Sequence, residues 1–138
     1  MVVNKIGYKI GDPDRFDIVV FDAGQGENYI KRIIGLPGDH LEYFDDELWI
    51  NGERVEEPYL DESKQQLTDG GPLTRDFTIE GALGEFVVPE DHYFVMGDNR
   101  RGSVDSRLPE VGFVSAEAIV GRASVIFWPL DHVKVLVE

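Results

Sequence analysis

The stretch Leu48-Trp49-Ile50-Asn51-Gly52-Glu53-Arg54-Val55 decides the fold class of this chain. Its centre, Asn51-Gly52, is a strong signal for a two-residue hairpin, because both turn positions favour a positive φ. Similar short β-prone runs recur along the chain between turn signals that are spaced roughly 8–15 residues apart. The predicted strands are 17–21, 29–34, 40–44, 48–50, 53–55, 77–79, 85–88, 92–96, 121–127 and 133–137. This pattern predicts an all-β, mostly antiparallel fold.

Two segments depart from that pattern. Ser115–Ile119 is the only stretch that we expect to form a helical turn, with Ser115 as its cap. Residues 59–84 hold few apolar groups and contain Gln65-Gln66 and Gly70-Gly71-Pro72. We expect this segment to form an excursion or a mobile loop.

The composition narrows the function classes. A chain of 138 residues with 42% hydrophobic content is long enough for one domain with a core. Its 13 basic and 27 acidic residues give a net charge of -14, which argues against a nucleic-acid partner and against electrostatic docking on anionic lipid. The lack of cysteine removes disulfides, thiolate metal sites and cysteine nucleophiles. The three histidines show no metal-ligand spacing, so we expect neither a metal nor a cofactor. We interpret the carboxylate pair Glu56-Glu57 as solvated charge.

Lys31 lies in a strand-forming stretch, Tyr29–Asp39. Alternate side chains of a strand share a face, so Lys31 is expected beside Tyr29 and Ile33, with no carboxylate next to it in the sequence. Burial of an amine without a counter-charge favours its neutral form, which can accept a proton from a hydroxyl and act as a general base. The alternative is a lysine that extends to solvent at the rim of the sheet.

A second unusual stretch is Gly97-Asp98-Asn99-Arg100-Arg101-Gly102-Ser103-Val104-Asp105-Ser106-Arg107. In an extended segment Ser103, Asp105 and Arg107 share a face, and the acid and the arginine can pair. A serine hydroxyl next to a lysine amine fixes the direction of its lone pair, while the ion pair holds the loop. The alternative is a solvated turn with a weak surface ion pair.

Together the two stretches resemble type I signal peptidases, the membrane-bound serine–lysine proteases that remove signal peptides from exported proteins. The segment Asp17–Phe21 resembles the block R-G-D-I-V-V-F, although Arg15-Phe16 replaces Arg-Gly. Tyr29–Asp39 resembles the family's lysine block, and Gly97–Arg107 matches the pattern G-D-N-R-x-x-S-x-D-S-R without departure. The resemblance covers nearly the whole chain and is closest to Gram-positive members.

The resemblance implies a role for each matching residue. Lys31 would be the general base, Ser103 would orient its amine, and Asp105 with Arg107 would support the site as a pair. Tyr29 and Ile30 would line the subsites that bind the substrate. It also implies a catalytic β core, expected at residues 1–44 and 87–138, and a small variable β extension at 45–86.

It further implies the setting in which the enzyme works. The partners would be signal peptides of exported preproteins and a membrane surface reached through an anchor. The place of action would be the extracytoplasmic face of the bacterial plasma membrane.

One part of the family pattern is missing from the sequence. The serine block, S-x-M-x-P-T, precedes the first strand block in the family and carries the nucleophile, and nothing like it occurs here. We therefore expect a fragment of a signal peptidase that is inactive alone.

Three other hypotheses remain open. The first is a non-catalytic relative that serves as a chaperone in surface-protein or pilus assembly. Another keeps the enzyme within the chain, with Ser106 or Ser115 as nucleophile. The third is a self-cleaving repressor, which the acidic charge and the lack of a DNA-binding half disfavour. The apolar residues Phe127, Trp128 and Leu130 fit core, a dimer contact or lipid, and the sequence does not decide among them.

Overall fold

The computed structural model describes residues 13–126 and 134–137 and shows the expected all-β, mostly antiparallel fold. The strands are β1 (Ile18–Gly24), β2 (Glu27–Gly35), β3 (Leu41–Phe44), β4 (Glu47–Ile50), β5 (Glu53–Val55), β6 (Phe77–Thr78), β7 (His92–Met96), β8 (Val114–Ser115), β9 (Ile119–Ile126) and β10 (Lys134–Val137). Two short α-helices, α1 (Asp61–Gln65) and α2 (Ile79–Leu83), and two 3₁₀ turns, Pro58–Leu60 and Ala116–Ala118, connect them.

The larger sheet has six strands in the order β10-β9-β1-β2-β7-β8, and each neighbouring pair is antiparallel. Its central strand β2 lies between β1 and β7, with Lys31 opposite Val19 and Arg32 opposite Met96. The inner face packs Val19 and Phe21 of β1 with neighbours from β2, β7 and β8. The strand that carries Lys31 is therefore held by pairing on both sides.

The smaller sheet has four strands in the order β5-β4-β3-β6. The predicted hairpin at Asn51-Gly52 is confirmed, because Ile50 pairs with Glu53 and the two turn residues have φ values of 52° and 86°. A second turn, Asp45-Asp46, joins β3 to β4 with φ values of 55° and 64°. Short turns of this kind keep the three strands β3, β4 and β5 adjacent.

One hydrophobic cluster joins the two sheets. Ile34, Phe94 and Met96 of the larger sheet pack with buried residues of the smaller one. The members from the smaller sheet are Leu41, Tyr43, Leu48 and Ile50. The smaller sheet is thus packed against the strands that carry Lys31 and the start of the loop after β7.

Two predictions of secondary structure were wrong. Residues 61–65 and 79–83 are helical although only Ser115–Ile119 was expected to be, and residues 85–88 form no strand. The helix α2 has local signals at both ends: Thr78 accepts a hydrogen bond from the Gly81 amide, and Gly84 follows with a φ of 81°. Ser115 does cap a turn, which is 3₁₀ rather than α.

Residues 59–84 contribute more to the core than their composition suggests. Leu60, Leu73 and Ile79 are buried. The mobility that we expect for this segment stays a prediction. Phe127, Trp128 and Leu130 lie outside the described residues, and no helix within the described ranges is long and apolar enough to cross a bilayer.

Candidate active site

Lys31 and Ser103 meet at the edge of a surface cavity. The Nζ of Lys31 lies 2.9 Å from the Oγ of Ser103, within hydrogen-bond distance, although the two residues are 72 positions apart. Lys31 is half-buried, and its Nζ lies 5.5 Å from the centre of the Tyr29 ring on the same face of β2. The expected neighbourhood of Lys31 and Tyr29 is therefore present, and within the described part of the chain Lys31 forms no ion pair.

Asp105 and Arg107 pair beneath the loop that carries Ser103. Arg107 donates to both carboxylate oxygens of Asp105, at 2.9 and 2.8 Å, and Asp105 is fully buried. The Gly97 amide also donates to Asp105, at 2.9 Å. Burial alone would raise the pKa of the Asp105 carboxyl, but the hydrogen bonds from Arg107 and Gly97 outweigh it and hold the pKa below its ordinary value. The carboxylate is therefore charged at neutral pH and fixes both ends of the loop.

Gly97 leaves no space for a side chain. A Cβ placed on it would lie 2.7 Å from the Cβ of Ser103 and 3.4 Å from the Nζ of Lys31. The hydroxyl and the amine can meet at hydrogen-bond distance because the backbone of Gly97 passes directly beside them. Sequence reasoning identified the turn that begins at Gly97 but not this steric requirement.

The other two serines considered as nucleophiles have structural contacts. Ser106 is fully buried, its Oγ accepts a hydrogen bond from the Val95 amide at 2.9 Å, and its own amide donates to the Val95 carbonyl. A hydroxyl buried in this way cannot reach a peptide bound at the surface. Ser115 accepts from the Glu117 amide as the cap of the 3₁₀ turn.

Arg32, next to Lys31 in β2, binds the loop on its other side. Its guanidinium donates to both carboxylate oxygens of Asp98, at 3.0 and 2.7 Å. It also lies over the ring of Tyr59, 4.0 Å from the centroid. Lys31 and Arg32 therefore both contact the loop that begins at Gly97. Lys31 binds the hydroxyl of Ser103, and Arg32 binds the carboxylate of Asp98.

A buried charge pair, Arg100 and Glu57, lies behind this loop. The side chains are 0% and 2% exposed, and Arg100 donates to Glu57 at 2.9 Å. Arg100 also donates to the hydroxyls of Tyr43 and Thr74, while the hydroxyls of Tyr43 and Tyr59 donate to Glu57 at 2.6 and 2.8 Å. The interpretation of Glu57 as solvated charge was wrong, because its partner lies 43 positions away and nothing in the adjacent sequence marks it.

Burial and charge fix the protonation of this cluster. Desolvation raises the pKa values of the Tyr43 and Tyr59 hydroxyls well above their ordinary range, so both act as donors at neutral pH. Desolvation alone would lower the pKa of Arg100, but Tyr43 and Glu57 outweigh it and raise the value. Arg100 therefore stays charged in the interior.

The cavity beside Lys31 has a volume of about 470 Å³. Tyr29, Ile30 and Val104 contribute to its lining together with Lys31 and Ser103, and Ile30 and Val104 are 46% and 43% exposed. Both residues named as substrate-binding candidates thus lie where a ligand could contact them. Among the described residues no group of three or more His, Asp or Glu side chains could hold a metal ion.

The arrangement presents one primary amine, aimed by a hydroxyl and free of a carboxylate partner in the described residues, to an open cavity. A primary amine in its neutral form can accept a proton from an attacking hydroxyl or water, which a guanidinium cannot do. The ion pair of Asp105 and Arg107 holds the loop that carries Ser103. The geometry suits general-base catalysis.

Comparison with known proteins gives consistent matches. A family model described as signal peptidase, peptidase S26, matches residues 1–128. The chain is 50% identical over 132 residues to signal peptidase I of Bacillus caldolyticus, which covers 96% of this chain and 71% of that protein. It is 42% identical over 135 residues to signal peptidase I P of Bacillus subtilis subsp. natto, which covers 97% of this chain and 70% of the relative. A crystal structure of a signal peptidase I from Enterococcus faecalis V583 superposes with a TM-score of 0.77 at 43% identity, covering 84% of this chain and all of the other.

Proposed function

The chain belongs to the signal peptidase family, peptidase S26, and on that basis we propose that Lys31 is the general base of a serine–lysine mechanism that releases signal peptides from exported proteins. Membership itself makes the chain a hydrolase of a serine protease family that serves protein secretion. The observation that carries the proposal is the distance of 2.9 Å between the Lys31 Nζ and the Ser103 Oγ.

Each residue has a defined part in the proposed reaction. A serine hydroxyl attacks the carbonyl carbon of the scissile bond while neutral Lys31 takes its proton, and the C–N bond breaks as Lys31 returns that proton to the departing amine of the mature protein. Lys31, neutral again, then takes a proton from the water that attacks the acyl-enzyme, and it gives this proton to the serine oxygen as the ester bond breaks. Ser103 orients the amine throughout, and Asp105 with Arg107 holds the loop that carries Ser103.

The substrate is proposed to bind as an extended strand across Tyr29 and Ile30, with small side chains entering the cavity beside them. The intact enzyme would work at the extracytoplasmic face of the bacterial plasma membrane, on signal peptides of exported preproteins. The division into a catalytic core at 1–44 and 87–138 and an extension at 45–86 stays a prediction.

The nucleophile is proposed to come from a family serine block, S-x-M-x-P-T, which the 138-residue sequence does not contain. We therefore expect the chain to cleave nothing by itself. The extended chain is residues 1–138 preceded by a segment that carries the family's serine block, S-x-M-x-P-T. This extended chain is expected to cleave a peptide that carries an Ala-x-Ala site.

The test compares cleavage of that peptide by the two chains and by lysine variants of the extended chain. Lys31→Ala and Lys31→Arg are both expected to abolish cleavage, because neither side chain can accept a proton. Lys64→Ala is the control, since the Nζ of Lys64 donates to the Asp46 carbonyl and Lys64 does not line the cavity beside Lys31. Cleavage that survives Lys31→Ala would refute the proposal, and an extended chain that binds the peptide without cleaving it would favour the chaperone alternative.

The same distance also fits a second assignment, in which Ser103 itself is the nucleophile and Lys31 its base. The Ser103→Ala variant and labelling with a serine-directed acylating probe distinguish this second assignment from the first, in which Ser103 only orients Lys31. If Ser103 only orients Lys31, the variant of the extended chain keeps residual cleavage and the probe labels the serine block. Labelling of Ser103 in the 138-residue chain, with peptide cleavage that Ser103→Ala abolishes, would establish the second assignment.

A further inference from the structure

We propose that Glu57, Tyr59 and Arg100 are positioning residues through which the smaller sheet sets the geometry of Lys31 and Ser103. The proposal rests on the proposed function and adds to it a role for a part of the molecule that carries none of the reacting groups. It starts from the complete burial of a charge pair that makes no contact with the cavity beside Lys31.

The first connection runs from Glu57 through Arg100 to Gly97. Besides its bond to Glu57, Arg100 donates from its Nε to the Gly97 carbonyl at 2.9 Å. The amide of the same residue donates to Asp105 at 2.9 Å. Gly97 is therefore held at its amide by one buried ion pair and at its carbonyl by another.

The backbone of Gly97 is also the surface against which Ser103 and Lys31 pack. A Cβ added at Gly97 would lie 2.7 Å from the Cβ of Ser103, which shows how near the backbone of Gly97 runs to the Ser103 side chain. A displacement of this peptide would therefore displace Ser103 relative to Lys31. Fixing the carbonyl through Arg100 thus fixes the distance between the hydroxyl and the amine. Catalytic geometry of this kind tolerates displacements of well under about 1 Å.

The second connection runs from Glu57 through Tyr59 to Arg32. The Tyr59 hydroxyl donates to Glu57 at 2.8 Å, and its ring lies beneath the Arg32 guanidinium at 4.0 Å. Arg32 follows Lys31 in β2, and it binds Asp98, which follows Gly97. Glu57 is therefore linked to both residues that flank the site in sequence, one on the strand and one on the loop.

The energetics of buried ion pairs favour a positioning role. Desolvation largely cancels the attraction within such a pair, so the pair adds little to stability compared with apolar side chains of the same volume. What it does supply is direction, because a planar guanidinium with four fixed acceptors has one orientation. The orientation of Arg100 is transmitted to the Gly97 carbonyl.

The first test needs no cleavage and uses amide hydrogen exchange in the 138-residue chain. Tyr59→Phe removes one hydroxyl and keeps the ring, and Glu57→Gln removes the charge at nearly constant volume. Both variants are expected to speed exchange of the Gly97 amide by about tenfold or more, which is the loss of one hydrogen bond's net contribution. The Ile33 amide of β2, which donates to the Asp17 carbonyl, reports global opening and speeds up with any loss of overall stability. The Gly97 amide is therefore expected to speed up about tenfold or more beyond the change at Ile33.

The control is an exposed pair from the neighbouring strand and loop, Arg54 and Glu56, whose charged atoms lie 3.9 Å apart. Glu56→Gln should alter neither amide. If Gly97 exchange in the folded Tyr59→Phe chain equals that of the unmodified chain, or rises only in step with Ile33, the positioning role is refuted.

The second test measures kcat and KM in the extended chain. Tyr59→Phe and Arg100→Lys are expected to lower kcat by about tenfold with KM unchanged, since a misplaced base affects the transition state and not the substrate cavity. Arg100→Met should lose more than Arg100→Lys, because lysine retains a charged donor. An inert extended chain would count against the proposed function alone, and the exchange test would still decide the positioning role.

Discussion

Gly97 shows how a single residue without a side chain limits the geometry of the Lys31–Ser103 pair. Replacement by alanine would place a methyl group 2.7 Å from the Ser103 Cβ and 3.4 Å from the Lys31 Nζ, so the hydrogen bond between them must lengthen or break. We expect Gly97→Ala to reduce peptide cleavage by the extended chain by roughly 100-fold, the usual effect of a displacement of about 1 Å. Initial rates at saturating peptide measure this.

A matched control lies in the same loop. At Gly102 the three heavy atoms nearest to an added Cβ all belong to the Asn99 side chain, and the amide nitrogen is 3.2 Å away. That exposed side chain can rotate away, so Gly102→Ala should cleave at nearly the unmodified rate. Equal losses in the two variants would show that the loop as a whole, rather than the contact at Gly97, governs activity.

Asp105 makes stability depend on pH in a defined direction. Burial opposes its charge, but Arg107 and the Gly97 amide hold its pKa below the ordinary value, so the folded protein binds this proton less readily than the unfolded chain. The stabilisation is fully present above about pH 4 and is lost as the pH falls through the lowered value.

Asp105→Asn removes that dependence. It leaves Arg107 without its partner and is expected to cost about 3 kcal/mol of unfolding free energy at pH 7. Between about pH 5 and pH 2 the variant should lose less stability than the unmodified chain, as urea unfolding at each pH will show. Glu110→Gln, at an exposed position, is the control and should follow the unmodified curve. Parallel curves for Asp105→Asn and the unmodified chain would contradict this account.

At the scale of elements, the sequence predicted what short-range signals determine. Asn51-Gly52 specified a hairpin because its backbone conformation is a local property, and alternation along β2 placed Lys31 and Tyr29 on one face. Helix α2 was not predicted, although Thr78 caps its start and Gly84 follows its end. A helix of five residues is too short to show a recognisable 3.6-residue pattern of apolar side chains.

Contacts across long separations could not be predicted in the same way. Lys31 and Ser103 are 72 positions apart, and their meeting was expected through a resemblance to a family rather than through either segment alone. No comparable pattern marked Glu57 and Arg100, since a glutamate beside another glutamate is usually solvated. Burial of a charge depends on the packing of two sheets, which no local window contains.

At the scale of the whole molecule, the two sheets share one hydrophobic cluster, and both contribute contacts to the loop after β7. The shared cluster of Ile34, Phe94 and Met96 packs with buried residues of the smaller sheet, and Arg100 of the loop pairs with Glu57, which follows β5. Lys31, the proposed general base, lies on the larger sheet, while Arg100 of the loop is held by Tyr43 of the smaller sheet and by Glu57. On the proposed mechanism, substitutions next to the smaller sheet are therefore expected to change the rate of cleavage.

The net charge of -14 is the remaining property of the whole chain with a measurable consequence. Excess negative charge repels itself most strongly in the compact state, and salt screens it, since the Debye length falls from about 30 Å at 0.01 M to about 8 Å at 0.15 M. Salt removes little stability by screening exposed ion pairs such as Arg101 and Asp69, because surface ion pairs contribute little to the free energy of unfolding.

We expect the urea midpoint of unfolding to rise with KCl over this range of concentration. The double variant Glu85→Lys/Glu110→Lys, at two exposed positions, carries less negative charge and should show a smaller rise. A midpoint that falls with salt in both chains would mean that attractive pairs, and not the net charge, dominate the electrostatic free energy of folding.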